Sequence, residues 1–345
     1  MLVIKTRNVN QVLPELMYKM NTLGVVNDTR NGPVVKLPEP LTICYEKPCE
    51  RVIFWPERDA NPFFHFLESL WMMAGRNDVA FLKNIVGSME QFSDDGKTFH
   101  GAYGFRWRHH FDKDQVWVIA QALKSNPDCR RQVMGIWDPR VDLGADSKDV
   151  PCNTQVFFSR QNETQSLDMM VTNRSNDVVW GMTGANVVHF SFLQELISGL
   201  IGCQVGKYWQ ATMNAHLYLD KHEKLMDIMQ DYAFPSSSSI NENDLYTKGD
   251  VTPTPLLSAG SPNRLLLELD TFLQDGVVLG MHDKFLRSVA SPMKRAMEWF
   301  KSSKGEHKYT ETLNILDEMP EDSDWRRASE EWVGRRHTKW MGKNE

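Results

Sequence analysis

The fold of this chain is decided by three short segments, RRQVMGIWDP (130–139), TQVFFSRQ (154–161) and SLDMMVTNR (166–174). Each segment is rich in β-branched and apolar residues, and polar turns separate them, which is typical of neighbouring strands. A long apolar helix is predicted next, at about residues 187–202, and a further strand at about residues 208–218. This order predicts an α+β fold, with a mostly continuous sheet covered by helices.

The region before these segments is interpreted as strands, turns and one helix. Residues 1–60 mix short strands with turns, and Arg-Asn-Gly-Pro at residues 30–33 is a strong turn signal. A helix is predicted to begin with Asn61 as its N-cap and Pro62 in its first turn. Its apolar run ends at Gly75, which is the predicted C-cap.

The region after residue 232 carries a weaker signal. Pro235 and the four serines that follow it indicate a loop, and residues 241–262 indicate further loop. The tail from Arg264 is helical in pattern. We therefore expect a core at residues 1–232 and a loop and helical region at residues 233–345 that packs on it.

Composition narrows the class of protein. The 345 residues carry a net charge of −6, which argues against a nucleic-acid partner but allows a local basic pocket for one phosphate. No apolar run reaches about 18 residues and the start lacks a secretory signal, so no membrane segment is expected. The five cysteines are sparse and odd in number, which favours a reducing cytosol. Cys44 and Cys49 have no matching second pair, so no metal site is expected.

Two residues are candidates for chemistry. Cys152 stands at a turn that enters a strand, where its thiolate would be a strong nucleophile; a small buried core residue is the alternative. Glu68 shares a helix face with Phe64, Trp71 and Met72, at i−4, i+3 and i+4. A carboxyl group withdrawn from water there can exchange protons near neutrality. The alternative for Glu68 is a surface residue at the edge of an amphipathic helix.

Arginines recur near predicted strand ends and turns, at Arg30, Arg130, Arg131 and Arg174. Their forked donors suit phosphate oxygens, and the hydroxyl of Ser175 can add another contact. Any one of them, taken alone, is equally compatible with a solvated surface residue, and the sequence does not show whether they converge.

Polar residues also follow the long helix and precede it. His216 and Tyr218 alternate on a predicted strand, so both face one side, either as ligand contacts or as a satisfied core pair. Asn186 precedes the helix, where it could contact a ligand or serve only as the N-cap.

In their order and spacing these residues resemble thymidylate synthase and its pyrimidine hydroxymethylase relatives over residues 25–225. The segments that carry the resemblance are LESLW (67–71), AYG (102–104), RWR (106–108), CRR (129–131), WDP (137–139), PC (151–152), RSND (174–177), GAN (184–186) and AHLY (215–218). The resemblance implies a catalytic core built on a twisted mixed sheet at a dimer interface. Residues 233–345 do not match and form a divergent C-terminal extension.

The resemblance also implies roles for individual residues. Cys152 is the nucleophile, and Glu68, Tyr103 and Asn153 complete the catalytic set. The residues implied to bind the nucleotide are Arg30, Arg130, Arg131, Arg174, Ser175, Asn186, His216 and Tyr218, and those implied to bind the cofactor are Asp177 and Trp180. The implied cofactor is 5,10-methylenetetrahydrofolate, and the implied substrate is a pyrimidine deoxynucleotide monophosphate. The implied assembly is a homodimer in which the arginine pair 130–131 reaches the phosphate bound by the other subunit.

The chemistry follows from the implied nucleophile. Addition of the Cys152 thiolate at C6 of the pyrimidine makes C5 enolate-like, so C5 can take up a one-carbon unit. An exocyclic methylene group then remains on C5. Hydride transfer to that group gives a methyl product, and water addition gives a hydroxymethyl product.

Several departures from the thymidylate synthase pattern favour water addition over hydride transfer at the exocyclic methylene group. Asn153 stands where a histidine is usual, and residues 89–92 lack the paired tryptophans of that family. The segment between Asp177 and Asn186 is one residue longer. Such departures resemble those of the hydroxymethylases that often come from phages or antibiotic pathways. If the chain is encoded by a phage, its expected location is the host cytoplasm. Asn186 offers both a donor and an acceptor to uracil, which favours deoxyuridylate.

The sequence therefore predicts an enzyme that hydroxymethylates dUMP. Three alternatives stay open: a thymidylate synthase with an unusual tail, a hydroxymethylase of dCMP or CMP, and, from another class, an inactive relative that binds nucleotide or RNA as a regulator.

Overall fold

The computed structural model describes residues 1–29, 32–232, 242–257 and 262–343. In these ranges the strands are β1 (Leu2–Thr6), β2 (Val25–Thr29), β3 (Gly32–Lys36), β4 (Leu41–Tyr45), β5 (Val133–Gly135), β6 (Asn153–Gln161), β7 (Ser166–Asn173), β8 (Asn176–Asp177), β9 (Gln204–Thr212) and β10 (Ala215–Tyr218). The α-helices are α1 (Val9–Leu23), α2 (Pro62–Met73), α3 (Val79–Ile85), α4 (Tyr103–Arg108), α5 (Gln115–Ser125), α6 (Asn186–Ile201), α7 (Leu219–Met229), α8 (Leu245–Lys248), α9 (Pro262–Asp275), α10 (Ser291–Ser302), α11 (His307–Leu316) and α12 (Asp324–Met341). Shorter 3-10 turns lie at Pro56–Arg58, Gly87–Phe92 and Gln230–Tyr232, and π-helical turns at Val178–Ala185 and Leu286–Ala290.

The strands form two sheets. The larger runs in the order β1-β4-β9-β7-β6-β5 and the smaller in the order β2-β3-β10-β8. In the larger sheet β1 is parallel to β4 and β7 is parallel to β9, whereas the other neighbours are antiparallel. The predicted α+β fold with a mixed sheet is confirmed, and the three segments at residues 130–174 supply the neighbours β5, β6 and β7.

The single strand predicted at about residues 208–218 is wrong, because the chain changes sheets there. Strand β9 ends at Thr212 and β10 begins at Ala215. At the bend, the Met213 amide donates to the Asn173 carbonyl in one sheet, and the Asn214 carbonyl accepts from Asn176 at the start of the other. The predicted pairing of His216 and Tyr218 on one side of a strand is confirmed, since both lie in β10 with ring centroids 5.3 Å apart.

The interpretation of residues 1–60 as strands and turns is also incomplete, because it misses helix α1. Asn8 caps this helix by accepting hydrogen bonds from the amides of Asn10 and Gln11. The helix contains Pro14 and two valines, which favour other structures, but its apolar side is fully buried. Tertiary burial therefore outweighs the local preference.

Helix α2 positions one side of the candidate site. Asn61 caps it as predicted, with its side chain accepting from the Phe64 amide. The helix ends at Met73, one residue earlier than a cap at Gly75 requires; Ala74 is the cap, and Gly75 follows it with a φ of +75°. That left-handed conformation explains the glycine at this position.

The turn and loops predicted from the sequence are only partly covered by the described residues. Strands β2 and β3 form a hairpin in which Thr29 pairs with Gly32, whereas Arg30 and Asn31 lie outside the described residues. The loop predicted at Pro235 and its serines also lies outside them. Part of the loop predicted at residues 241–262 is described, and it contains the short helix α8.

The C-terminal helices pack against α2. Phe66 of α2 contacts Phe285 and Trp325, with ring centroids 5.7 and 5.1 Å apart. A buried Arg51–Glu195 ion pair lies beneath the same region, and Glu195 also accepts from the Leu256 amide at 2.7 Å. Among the described helices, none is both long and apolar enough to span a membrane. The division of the chain at residue 232 stays a prediction.

Candidate active site

The turn before β6 presents Cys152. Strand β6 begins at Asn153, so the cysteine lies at the entrance to the strand, as predicted. The backbone amide of Cys152 donates to Oη of Tyr103 at 3.4 Å, and its carbonyl accepts from the Arg174 amide at 3.0 Å. The thiol is half-buried and free. The candidate nucleophile and the candidate catalytic tyrosine are therefore neighbours.

Charged groups around Cys152 act in opposite directions. Burial raises the pKa of the Cys152 thiol, the positive charge of Arg174 opposes that rise, and the negative charge of Asp149 adds to it. Arg174 is held in place because Nε and Nη2 donate to the carbonyls of Pro151 and Val150, each at 2.8 Å. This guanidinium group thus fixes the turn that carries the thiol and lies close enough to favour its thiolate.

A cavity of about 190 Å³ lies beside this turn. Its polar lining is supplied by Glu68, Tyr103, Asp149, Asn186 and His189. The remainder is mostly apolar and includes Trp71, Met72, Leu82, Met89, Phe92, Phe99, Ala102 and Ala185. Few polar groups in an apolar cavity are typical of a small-molecule site.

Tyr103 reaches this cavity because helix α4 lies against helix α2. A Cβ atom at Gly104 would stand 2.0 Å from the Met72 carbonyl oxygen, so only glycine allows this approach. Burial raises the pKa of the Tyr103 phenol, which therefore stays protonated. Its ring packs on Phe190 at 6.0 Å between centroids.

Glu68 and His189 form a pair that the sequence did not reveal. Nε2 of His189 lies 3.0 Å from Oε2 of Glu68, and the two side chains are 4% and 13% exposed. The contact has the distance of an ion pair but not the angle of a hydrogen bond. Neither ring nitrogen of His189 has a hydrogen-bond partner among the described residues. A signal was available, since His189 follows Asn186 by one helical turn and shares its face.

Asp149 is a second titratable group in the cavity that sequence reasoning left without a role. Burial raises the pKa of Asp149 to about 6, although a hydrogen bond from the Gly101 amide and nearby positive charges favour the carboxylate. Its charge therefore changes within the range in which many enzymes operate.

A chain of amide side chains runs behind the cavity. Gln210 donates to the Met182 carbonyl at 3.2 Å and accepts from Asn176 at 3.1 Å. Asn176 accepts from Asn186 at 2.9 Å, and Asn186 accepts from Asn153 at 3.3 Å. Asn186 is also the first residue of helix α6, so it is not the N-cap of that helix; the N-cap is Ala185.

The chain continues from Asn153 into the sheet. Asn153 accepts from the amide of Asn173, and Asn173 accepts from Thr212 at 3.1 Å. All of these side chains are buried. The donor-to-acceptor direction of these hydrogen bonds is set at one end, because the Met182 carbonyl can only accept. Each side-chain amide in the series must then donate toward Met182.

The smaller sheet supplies a second group of predicted residues. Oγ of Ser175 lies 3.4 Å from Nδ1 of His216, and Tyr218 follows on the same side of β10. The ring of Trp180 packs on Tyr218 and His222, with centroids 5.8 and 4.8 Å apart. These four predicted residues therefore share one surface.

Asp177 belongs to this second group, because it pairs with His216 across the smaller sheet. Its Oδ1 accepts from the amides of Val179 and Trp180, at 2.9 and 2.5 Å, so it caps the π-helical turn Val178–Ala185. The turn is kinked at Thr183 and Gly184, whose backbone angles are not helical. Oδ2 of Asp177 is buried without a hydrogen-bond partner among the described residues, and burial raises the pKa of this carboxyl group.

A cleft of about 590 Å³ extends past Trp180. Phe92 and Trp180, which are 45% and 46% exposed, line it together with Lys148 and Lys221. Exposed rings suit a flat heterocycle, and the lysines suit carboxylates. The lining of the cleft therefore fits a folate, and Asp177 caps the turn that presents Trp180 to it.

The remaining predicted arginines are not gathered at the site. Arg130 and Arg131 are exposed in the loop before β5, and neither guanidinium group has a hydrogen-bond or ion-pair partner among the described residues. Arg30 lies outside those residues. The structure thus brings together Cys152, Glu68, Tyr103, Asn153, Arg174 and Asn186, and separately Ser175, Asp177, Trp180, His216 and Tyr218.

The fold and this thiol-centred site are those of a one-carbon transferase. The sequence profile described as "Thymidylate synthase" matches residues 63–248. The deoxyuridylate hydroxymethyltransferase of Pseudomonas phage M6 is 47% identical over 336 residues, 97% of this chain and 95% of that protein. Those of Bacillus phage SP01 and Delftia phage PhiW-14 are 39% and 32% identical over 55% and 50% of this chain, and over 52% and 50% of their own lengths. This chain belongs to the thymidylate synthase family.

Proposed function

We propose that this enzyme converts dUMP into 5-hydroxymethyl-dUMP, with Cys152 as the nucleophile that adds to C6. The observation that carries the proposal is the fixed direction of the Asn186 amide beside Cys152, in a chain 47% identical to a phage deoxyuridylate hydroxymethyltransferase. Reaction in the cytoplasm, where nucleotides and folates are available, is part of the proposal.

The amide chain supports uracil as the base. Asn186 uses one Nδ2 hydrogen on Asn176 and one Oδ1 lone pair on Asn153, which leaves one donor and one acceptor. Uracil offers the complementary groups, a donor at N3 and an acceptor at O4. Cytosine offers an acceptor at N3 and a donor at N4, so it would require the amide to flip. A flip would break both bonds of Asn186 within a buried network.

Residues 87–92 support capture of water. They form a 3-10 turn in which Met89 and Phe92 line the cavity. Phe92 is 45% exposed, so this wall is open to solvent and does not seal the site as a buried tryptophan would. Both polar atoms of Asn153 are engaged in the amide chain, so we propose that Asn153 acts by positioning Asn186.

We assign the remaining contacts as follows. Bound methylenetetrahydrofolate supplies the one-carbon unit, which remains on C5 as an exocyclic methylene group, and Asp177, Trp180 and Phe92 would hold it. Glu68 moves protons at the base, and Tyr103 helps remove the proton at C5. The residues proposed for the phosphate and sugar are Arg30, Arg174, Ser175, His216 and Tyr218.

A homodimer with shared sites completes the proposal. An apolar row crosses the larger sheet from Val133 through Phe157 and Met170 to Trp209, by the register of the strands. The first three are 44%, 37% and 37% exposed. Exposed apolar side chains in a continuous row are typical of an interface. Arg131 lies two residues before Val133, so it stands at the edge of this face and would reach the neighbouring site.

Product analysis tests the proposed function. The enzyme is incubated with methylenetetrahydrofolate and with dUMP or dCMP in turn, and the products are separated by mass. We expect 5-hydroxymethyl-dUMP and tetrahydrofolate from dUMP, with little turnover of dCMP. Thymidylate and dihydrofolate in equal amounts would identify a thymidylate synthase, and a product from dCMP alone would identify a cytidylate hydroxymethylase. Failure to form a covalent complex with 5-fluoro-dUMP and the folate would favour the inactive relative.

A further inference from the structure

The buried imidazole of His189 has chemical capacity that the proposed function does not use. It is 4% exposed, lines the same cavity as Glu68, Tyr103 and Asn186, and contacts Glu68 at 3.0 Å. Among the described residues no hydrogen bond engages either of its ring nitrogens. A buried polar group without a partner is costly, so its retention beside a cavity points to a ligand there.

The cavity is large enough for that ligand to be water. Its volume of about 190 Å³ exceeds the roughly 30 Å³ that one molecule of liquid water occupies. A water needs two or more polar partners, and His189, Glu68 and Tyr103, which all line the cavity, can supply them. Asn186, which is proposed to contact the base, lines the same cavity.

We propose that His189 is a further catalytic residue, which acts with Glu68 as the base that activates the water for attack on the exocyclic methylene carbon. This inference rests on the proposed function. Glu68 orients the imidazole and stabilises the positive charge that the ring gains, in the way that a carboxylate supports a catalytic histidine. His189 therefore contributes to the choice of hydroxymethyl over methyl product.

The step balances without an oxidant or a reductant. The water oxygen forms a bond to the methylene carbon while one water proton passes to His189. The electron pair of the exocyclic double bond moves to give an enolate at C4, which then re-forms the C4 carbonyl and the ring C5–C6 double bond. The bond between C6 and Sγ of Cys152 breaks, and the thiolate leaves with that electron pair. One water is consumed, and one proton remains on His189.

Two measurements separate this step from the earlier ones. Release of tritium from dUMP labelled at C5 reports every step up to removal of the C5 proton, and mass spectrometry reports the hydroxymethyl product. In the wild-type enzyme we expect the two in equal amounts. In His189→Gln the ratio of released tritium to hydroxymethyl product should rise at least about tenfold, since general bases contribute about 10²–10⁴-fold. The nucleotide that has released tritium but has not been hydroxymethylated should be recovered as a thioether when a thiol is added, because thiols attack the exocyclic methylene carbon without a base.

His65→Gln is the matched control. His65 is also buried on a neighbouring helix, but it lines a different cavity. We expect this variant to keep the two measurements equal. Equal amounts in His189→Gln would overturn the inference, and so would the same imbalance in both variants, because the effect would then be structural. A wild-type enzyme that releases no tritium would overturn the proposed function and the inference with it.

A folate-free measurement that keeps His189 in place guards against a His189 variant that fails to fold. The ¹⁵N chemical shifts of the His189 imidazole are compared between the wild type and Glu68→Gln, each bound to dUMP. A change at Nε2 is expected, because Glu68 faces that atom. Identical shifts would overturn the pairing on which the inference depends.

Discussion

Asn153 donates a hydrogen bond of 3.3 Å from its side-chain amide to Oδ1 of Asn186. The residue next to the proposed nucleophile therefore holds the residue proposed to contact the base. Because the amide chain ends on a backbone carbonyl, its direction can be tested at a point remote from the substrate.

Gln210→Glu should weaken the preference for uracil. The new carboxylate has no N–H to donate to the Met182 carbonyl, so the anchor of the amide chain is lost. Leaving buried polar groups unpaired costs about 1–3 kcal/mol, which corresponds to a loss of about five- to 150-fold in the ratio of the dissociation constants of dCMP and dUMP. Calorimetric titration of each nucleotide without folate measures that ratio.

Gln194→Glu is the control for this prediction. Gln194 is equally buried and donates to the carbonyls of Leu167 and Lys207, but it lies outside the amide chain. We expect it to lower stability while leaving the ratio of the two nucleotides unchanged. If both variants shift the ratio equally, the chain does not set base preference.

This network shows where sequence reasoning reaches its limit. The strands at residues 130–174, the cap at Asn61 and the position of Cys152 follow from local pattern, and each is found in the structure. Asn173, Asn176 and Gln210 come from three strands, and a pattern along the chain cannot show that their amides meet. The His189–Glu68 pair joins two helices in the same way, and only the packing of α2 on α6 brings it together.

Cys152→Ala should abolish turnover and leave nucleotide binding intact. The proposed contacts to phosphate and sugar lie on other residues, so loss of the thiol removes the covalent step alone. Turnover is followed by product mass, and binding of dUMP by calorimetry. Cys203→Ala, a second half-buried free cysteine, serves as the control and should keep full activity. Product formation by Cys152→Ala near the wild-type rate would exclude the covalent mechanism.

The charges around Cys152 predict how its reactivity depends on pH. Asp149 raises the pKa of the thiol and Arg174 lowers it. Asp149→Asn should therefore lower that pKa and speed alkylation at a given pH, whereas Arg174→Gln should raise the pKa and slow alkylation. Because the pKa of Asp149 is about 6, the effect of Asp149→Asn should be present above that pH and fade below it, where the native carboxyl group is neutral.

Alkylation by iodoacetamide, followed peptide by peptide in a mass spectrometer, measures this effect. The peptide containing Cys129 is an internal reference, since hydrogen bonding from Gln132 lowers the pKa of that thiol and neither variant lies near it. If both variants move the alkylation profile of Cys152 in the same direction, the two charges do not act as opposing influences on the thiol.

Mixing two inactive variants tests whether the sites are shared between subunits. We expect Arg131→Ala to lose most activity by weakening phosphate binding, and Cys152→Ala to lose all of it. In a mixed dimer, one site would combine the intact Cys152 of one chain with the intact Arg131 of the other. Half of the dimers formed at random are mixed, and one of their two sites is intact, so unfolding and refolding the mixture should restore about a quarter of wild-type activity.

Arg140→Ala, which removes an exposed arginine that pairs with Asp138 in its own chain, is the control partner for Arg131→Ala. A shared site is supported if Arg131→Ala regains activity when mixed with Cys152→Ala, whereas its mixture with Arg140→Ala shows no more activity than the Arg140→Ala chains supply themselves. No recovery with Cys152→Ala would mean that each subunit binds phosphate with its own residues.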